Sequence, residues 1–284
     1  MPATTPPVQK HISIEGCRAS YFESGTPGKL PLLLMHGLGP GASVSGAFAA
    51  IRPFLDAHFH VFATDLIGFG TSGQKPTPPY FDFPLWVSQA RAVLGLMPTG
   101  KVGIFGHSAS GAIALRLAAS EPRIAAVITT GTAGTRFEVN SDLRRLWTFP
   151  DSREDLRVSL RSLIHDPTHV TESGLDVRWG ILQSSGYREY FTAMFDGDLQ
   201  SLADSWIVAG DELKRISADY TLVHGRDDLP CPVEATSMRL AHQIRHASLV
   251  LLSRCGHAPA LEHPEQVCAA VRLAFASHVN FGEI

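Results

Sequence analysis

Val102-Gly-Ile-Phe-Gly106-His107-Ser108-Ala109-Ser110-Gly111 is the stretch on which the fold turns. A short apolar run ends in a tight turn with a serine at its apex, and Ala and Leu then recur at helical spacing over Ser110–Ser120. Small residues flank the serine, as they must where a strand and the helix after it nearly touch. The start of a helix also stabilises negative charge. The segment is therefore read as strand, sharp turn and helix, with the Ser108 hydroxyl held out as a candidate nucleophile.

A serine hydroxyl is a poor nucleophile until a neighbouring base takes its proton, and that base needs an acid to fix its tautomer. Downstream, Tyr220-Thr-Leu-Val-His-Gly225-Arg-Asp227-Asp228 ends a strand-like run with two carboxylates, either of which could be that acid. Ser248-Leu-Val-Leu-Leu-Ser-Arg-Cys-Gly256-His257 ends the next run with a histidine, the candidate base. Groups at the carboxyl ends of parallel strands meet at one rim of the sheet. Upstream, Leu32-Leu-Leu-Met-His36-Gly37-Leu38-Gly39-Pro40-Gly41-Ala42 is a glycine-rich loop after a strand, whose backbone N–H groups can approach a ligand closely. It has neither the Lys-Ser/Thr of a phosphate-binding loop nor a G-x-G-x-x-G pattern, so a nucleotide site is not expected. Asp65-Leu-Ile-Gly68-Phe-Gly70-Thr-Ser72-Gly73 is read as a structural turn. His60 and His242 are read as surface or structural residues, and His36 and His107 as residues lining the pocket or bracing its loops.

The rest of the chain supplies the frame. Alternation from His11 to Gly25 around Gly16 predicts an opening hairpin. Short apolar runs at Pro31–Met35, His60–Thr64, Val102–Phe105, Ala125–Thr130, Tyr220–Val223 and Ser248–Leu252 predict parallel strands covered on both faces. Helical patterns between them, such as Pro264–Ser277, give a doubly wound α/β sheet. From Gly134 to Gly210 no strand-like run occurs, only amphipathic patterns such as Asp151–Ile164 and Thr171–Gln183. That stretch is too long for a simple crossover and predicts an inserted helical cap over 134–210, with 1–133 and 211–284 as the core domain.

With 284 residues the chain can bury a core without disulfide or metal staples. A hydrophobic share of 44%, a charged share of 18% and a formal charge of −3 suit a globular enzyme and argue against nucleic acid as a partner. The scattered Cys17, Cys231, Cys255 and Cys268 show no metal-ligand spacing and suggest buried thiols in a reducing compartment. Neither metal nor cofactor is expected. Met1–Lys10 lacks the apolar core of a signal peptide, and no run is long enough to span a membrane, so a cytoplasmic location is expected.

These motifs, in the order Ser, Asp, His, resemble those of the α/β-hydrolase fold over nearly the full length of the chain. The resemblance implies a catalytic triad, in which the pattern Gly-x-x-Asp selects Asp228 to partner His257 and Ser108. It also implies an oxyanion hole made by the N–H groups of Leu38 and Ala109. More narrowly, His36-Gly-Leu-Gly-Pro-Gly-Ala42 and the stretch Leu163-Ile-His-Asp-Pro-Thr-His-Val-Thr-Glu-Ser-Gly-Leu-Asp-Val-Arg178-Trp179 look like their counterparts in the meta-cleavage-product hydrolases. These enzymes split a C–C bond in 2-hydroxy-6-oxo-hexa-2,4-dienoates from aromatic degradation. That likeness implies a small-molecule substrate touched by Gly37, Gly39, His107, Arg178, Trp179 and Ala258, with Arg178 on its carboxylate, and a homodimer or higher assembly. Three positions depart from the group. His107 stands where it usually carries Asn, Ala258 where it usually carries Trp, and Ala47 where it often presents Asn. Losing an indole and two amides enlarges the pocket and changes its polarity, and an esterase, lactonase or thioesterase acting on a small ester would use the same triad.

Overall fold

In the computed structural model, which describes residues 5–282, the strands form one eight-stranded sheet in the order β1-β2-β4-β3-β5-β6-β7-β8. Its members are β1 (Thr5–Ile14), β2 (Cys17–Gly25), β3 (Pro31–Met35), β4 (His60–Asp65), β5 (Val102–His107), β6 (Ile124–Thr130), β7 (Asp219–Gly225) and β8 (Ala247–Leu252). β2 runs antiparallel to β1 and β4, and every pairing from β4 to β8 is parallel. The continuous apolar runs at β3, β4 and β6 are the buried parallel strands expected of them. β1 starts six residues before the predicted hairpin, through Pro6 and Pro7. Proline lacks an N–H to give to a ladder, and β1 is an edge strand with a register shift between Thr5 and Val8, where that lack is tolerated.

Helices cover both faces. On the way to β5 the chain forms α1 (Val44–Phe48), α2 (Arg52–His58) and α3 (Phe83–Leu96). After β5 comes α4 (Ala109–Ala118), in which every residue except Arg116 is buried. Two apolar clusters result. One, around Leu33, Ile104, Ile113 and Trp86, extends into the helices beyond β6, and the other, around Leu34, Phe105, Val223 and Phe275, lies on the opposite face.

Between β6 and β7 the chain makes only helices: α5 (Ser141–Leu146), α6 (Arg153–Arg161), α7 (Glu172–Leu182), α8 (Tyr187–Met194), α9 (Leu199–Asp204) and α10 (Gly210–Lys214), with a 3₁₀ turn at Pro167–His169. Their starts are written in the sequence, because Asn140, Ser152, Thr171 and Asp198 each accept a backbone N–H of the first turn. They bury an aromatic cluster including Trp147, Phe191, Phe195 and Trp206 against Phe81. The helical stretch runs on to Lys214, just past the predicted boundary at Gly210. After β7 come α11 (Ser237–Gln243), α12 (Pro259–Glu262) and α13 (Pro264–Ala274). All four cysteines are free; Cys17, Cys231 and Cys255 are buried as expected, but Cys268 on α13 is only half-buried. None of the described helices is long and apolar enough to cross a membrane.

Candidate active site

Ser108 occupies the turn between β5 and α4 with φ 58 and ψ −122, a conformation that L-residues avoid. Three backbone bonds hold it there. Its N–H donates to Thr130 O at 2.9 Å, and its carbonyl accepts from Gly111 N–H at 2.8 Å and Ala133 N–H at 3.1 Å. The turn is tight enough that a Cβ at Gly106 would lie 2.6 Å from Ser110 O, so the residue two before the serine has to be glycine. Ser110, where the motif usually has glycine, uses its hydroxyl to donate to His36 O at 2.5 Å and so ties the elbow to the glycine-rich loop.

The three residues named from sequence come together at the carboxyl edge of the sheet. Ser108 Oγ lies 2.9 Å from His257 Nε2, and His257 Nδ1 lies 2.7 Å from Asp228 Oδ2. An ionised carboxylate only accepts, so Nδ1 carries the imidazole proton and Nε2 is left to accept from the serine hydroxyl. All three residues are buried. Asp227 turns the other way, to His165 at the surface, at 2.9 Å, which separates the two carboxylates that sequence left side by side.

Burial by itself would raise the pKa of Asp228, but His257 and His224 together hold it well below the usual carboxylate range. His224, the fully buried sixth residue of β7, was not singled out in the sequence, where a histidine inside an apolar strand gives no chemical signal. Its Nε2 is 2.9 Å from both Asp228 Oδ2 and Cys231 O, and its Nδ1 is 2.6 Å from Ser237 Oγ. Facing two pure acceptors, Nε2 must carry the proton. With Cys231 N–H donating to Oδ1 at 2.8 Å, the Asp228 carboxylate takes three hydrogen bonds.

The glycine-rich loop is braced from beneath. His36 Nδ1 donates to Gly37 O at 2.6 Å, while its Nε2 accepts from Leu66 N–H at 3.0 Å. Asp65 accepts from Val44 N–H at 2.7 Å and Thr71 N–H at 2.8 Å, the structural part expected of it. His60 is likewise structural, bonded to Glu23, and His242 is exposed. Among the described residues, the N–H groups of Leu38 and Ala109 have no hydrogen-bond acceptor, so both are free to donate to a ligand oxygen beside Ser108.

A cavity of ≈ 70 Å³ reaches His257 and is walled by Gly37, Leu38, Gly39, His107, Arg178 and Ala258, among others. Five of the six expected substrate contacts therefore border it. Trp179 does not: it points to the other side of α7, packs half-buried against the main apolar cluster and lines none of the cavities found at this rim. On α7 the step from Arg178 to Trp179 turns the indole toward the apolar cluster and away from the cavity. The Arg178 guanidinium donates to Pro40 O at 3.0 Å and has no carboxylate partner among the described residues. Burial draws its pKa down to about 10, which leaves it a cation at neutral pH.

Residues 32–270 match the model of the alpha/beta hydrolase family. The chain belongs to the α/β hydrolase family. This hydrolase is 29% identical over 271 residues to a 2-hydroxymuconate semialdehyde hydrolase of Pseudomonas sp. (strain CF600), covering 95% of this chain and 94% of the relative. It is 30% identical over 239 residues to a 2-hydroxy-6-oxo-6-phenylhexa-2,4-dienoate hydrolase of Comamonas testosteroni, covering 80% of each. Its structure is similar to that of a meta-cleavage product hydrolase from Pseudomonas fluorescens IP01, with a TM-score of 0.87 and 27% identity over 94% of this chain and 97% of the other.

His107, next to the serine, packs with its ring centre 5.0 Å from that of His257 at an interplanar angle of 49°, and its Nδ1 lies 3.1 Å from the Thr130 hydroxyl. Burial, reinforced by the charge His257 would carry, lowers its pKa from 6.5 to about 3. A histidine kept neutral in the fold stabilises the hydrolase fully above pH 6.5, and that contribution is lost as the pH falls from 6.5 toward 3, because the unfolded chain takes up the proton first. His107→Asn removes this linkage. Thermal melts at pH 7.5 and pH 5 are expected to show a smaller drop in Tm for the variant than for the wild type, and parallel drops would show that His107 titrates normally.

His224→Leu leaves Asp228 Oδ2 to His257 alone, so the carboxylate holds the His257 proton more tightly. A pH profile of kcat/KM should show a fall of roughly tenfold and an acidic limb displaced to higher pH. A fall with an unmoved limb would reduce His224 to a packing residue.

Proposed function

We propose that this enzyme hydrolyses the C–C bond next to the ketone of a 2-hydroxy-6-oxo-hexa-2,4-dienoate-type ring-cleavage product, with Ser108, His257 and Asp228 as its catalytic triad. The observation that carries the reading is Arg178, a cation without a carboxylate partner in the wall of the cavity that reaches His257. A guanidinium binds a carboxylate through paired N–H donors. The relative from Comamonas testosteroni, named for a 2-hydroxy-6-oxo-6-phenylhexa-2,4-dienoate, supports the same reading.

The substrate is a vinylogous 1,5-diketone in its keto form. His257 first helps move a proton from the enol oxygen to the chain, which makes the dienoate carbon a competent leaving group. It then accepts the Ser108 proton, or that of a water, as oxygen adds to the ketone carbonyl. The N–H groups of Leu38 and Ala109 receive the developing oxyanion. Asp228, already ionised, steadies the imidazolium without taking its proton. The C–C bond breaks, and its electron pair runs back along the chain to the 2-oxygen, which takes a proton from the His257 imidazolium. The elements of one water complete the acid, giving a 2-hydroxydienoate and a carboxylic acid. Helices over 134–210 serve as the lid that closes this site from water.

Ser108→Ala should lower kcat for bleaching of the dienolate chromophore by roughly 10⁴-fold. p-Nitrophenyl acetate and butyrate are assayed in parallel, and fast ester turnover beside an untouched dienolate would place the enzyme among the esterases.

Arg178→Ala should raise KM for the dienoate by roughly 10- to 100-fold, the loss expected for a hydrogen-bonded charge, and leave neutral esters much less affected. An equal effect on both substrates would make Arg178 a structural residue.

A further inference from the structure

The cavity beside His257 is too small for the substrate that the proposed activity requires. At ≈ 70 Å³ it is about half the size of the roughly 150 Å³ cavity that holds one benzene. It continues into a groove of ≈ 450 Å³ between α1 and helices α6 and α7, and the two share Ser43, Gly46, Leu163, Arg178, Ala258 and Leu261 as walls. The shared walls at this junction include a glycine and an alanine, Gly46 and Ala258, beside the larger Leu163, Arg178 and Leu261.

Beyond the junction the walls are mainly apolar: Leu160, Ile164, Val170, Leu175 and Val177. Val177 is 60% exposed and Leu261 41%, so the groove presents hydrocarbon to water at the edge of a catalytic cleft. Its one permanently charged lining residue, Arg178, lies at the junction and not at the far end. A carboxylate held there fixes the direction of the ligand. What enters the groove must be attached to the same half of the molecule as the carboxylate, because the ketone half lies at Ser108.

We propose that this groove is a subsite for an apolar substituent on the carboxylate-bearing half of the substrate, so that the preferred substrates are dienoates carrying an alkyl or aryl group on the diene chain itself. This rests on the C–C hydrolase reading and narrows it to a substrate class. Room for about three benzene-sized groups accommodates a short alkyl chain or a ring system. Each methylene buried in the groove should raise kcat/KM by about fourfold.

The test compares two methyl-ketone dienoates, one unsubstituted and one with an n-butyl group on the carbon next to the enol. The wild-type enzyme is assayed beside Val177→Trp and Ser173→Trp, two exposed positions that border the groove alone. The butyl compound should exceed the unsubstituted one in kcat/KM by tenfold or more. In at least one of the two variants that ratio should fall at least fivefold. A ratio near one in the wild type, or a high ratio that neither tryptophan alters, overturns the subsite while leaving C–C hydrolysis standing. Turnover of p-nitrophenyl acetate with neither dienoate bleached would instead overturn the C–C reading, and the subsite with it.

Discussion

The rest of the site depends on one strained residue held in place by backbone hydrogen bonds. Ser108 at φ 58 carries a conformational cost of roughly 1–3 kcal/mol, and the bond from its N–H to Thr130 O fixes the turn against the end of β6. Because the turn is sharp, β5 feeds directly into α4, and the serine hydroxyl stands at the sheet edge where β7 and β8 deliver Asp228 and His257. The same turn brings Ser110 under the glycine-rich loop, where its bond to His36 O sets the height of Gly37 and Leu38 relative to the serine. The Ser108 hydroxyl and the candidate oxyanion donors are thus positioned by a single local geometry. The helical core of α4, buried nearly throughout, prevents that geometry from relaxing.

A second constraint is electrostatic. Taking a carboxylate out of water is costly, and Asp228 is buried. Three donors, from His257, His224 and the Cys231 backbone, offset that cost and keep the group ionised. They also fix the plane of the carboxylate, and with it the ring of His257. Orientation and charge are supplied by the same bonds, so neither can be altered alone.

The parallel strands, the helices between them and the chemical groups at the strand ends were legible because each leaves a local mark: a Val- and Ile-rich run, a glycine at a close approach, a histidine after glycine. Helix starts in the insertion were marked by Asn140, Ser152, Thr171 and Asp198. What was not legible has physical reasons. His224 lies among apolar neighbours on β7, and its meaning comes from Asp228, Cys231 and Ser237, which only the turn after the strand brings close. Trp179 adjoins Arg178 in sequence but faces away from it on the helix. Chemistry alone left Asp227 and Asp228 equivalent, as carboxylates one peptide apart; the resemblance implied Asp228, and it is Asp228 that the loop turns toward His257. The start of β1 at Thr5 was hidden by two prolines, which signal a break except on an edge strand.

The least legible feature is how the insertion grips the catalytic loops, because it does so largely through backbone atoms that any sequence possesses. His257 N–H donates to Leu163 O at 2.6 Å, directly after α6. A Cβ at Gly256 would lie 2.6 Å from that same carbonyl, so the glycine before the histidine is what admits the contact. Glu262 bridges the two sides, accepting from Gly256 N–H at 2.8 Å and His165 N–H at 2.6 Å, and Arg178 of α7 reaches Pro40 O in the glycine-rich loop. The helices that border the cavity and groove are therefore bonded to the histidine loop on one side and the glycine-rich loop on the other. Any movement of α6 or α7 that enlarges the groove also pulls on His257 or on Leu38. The shape of the groove and the alignment of Ser108, His257 and the Leu38 N–H are coupled through these few bonds.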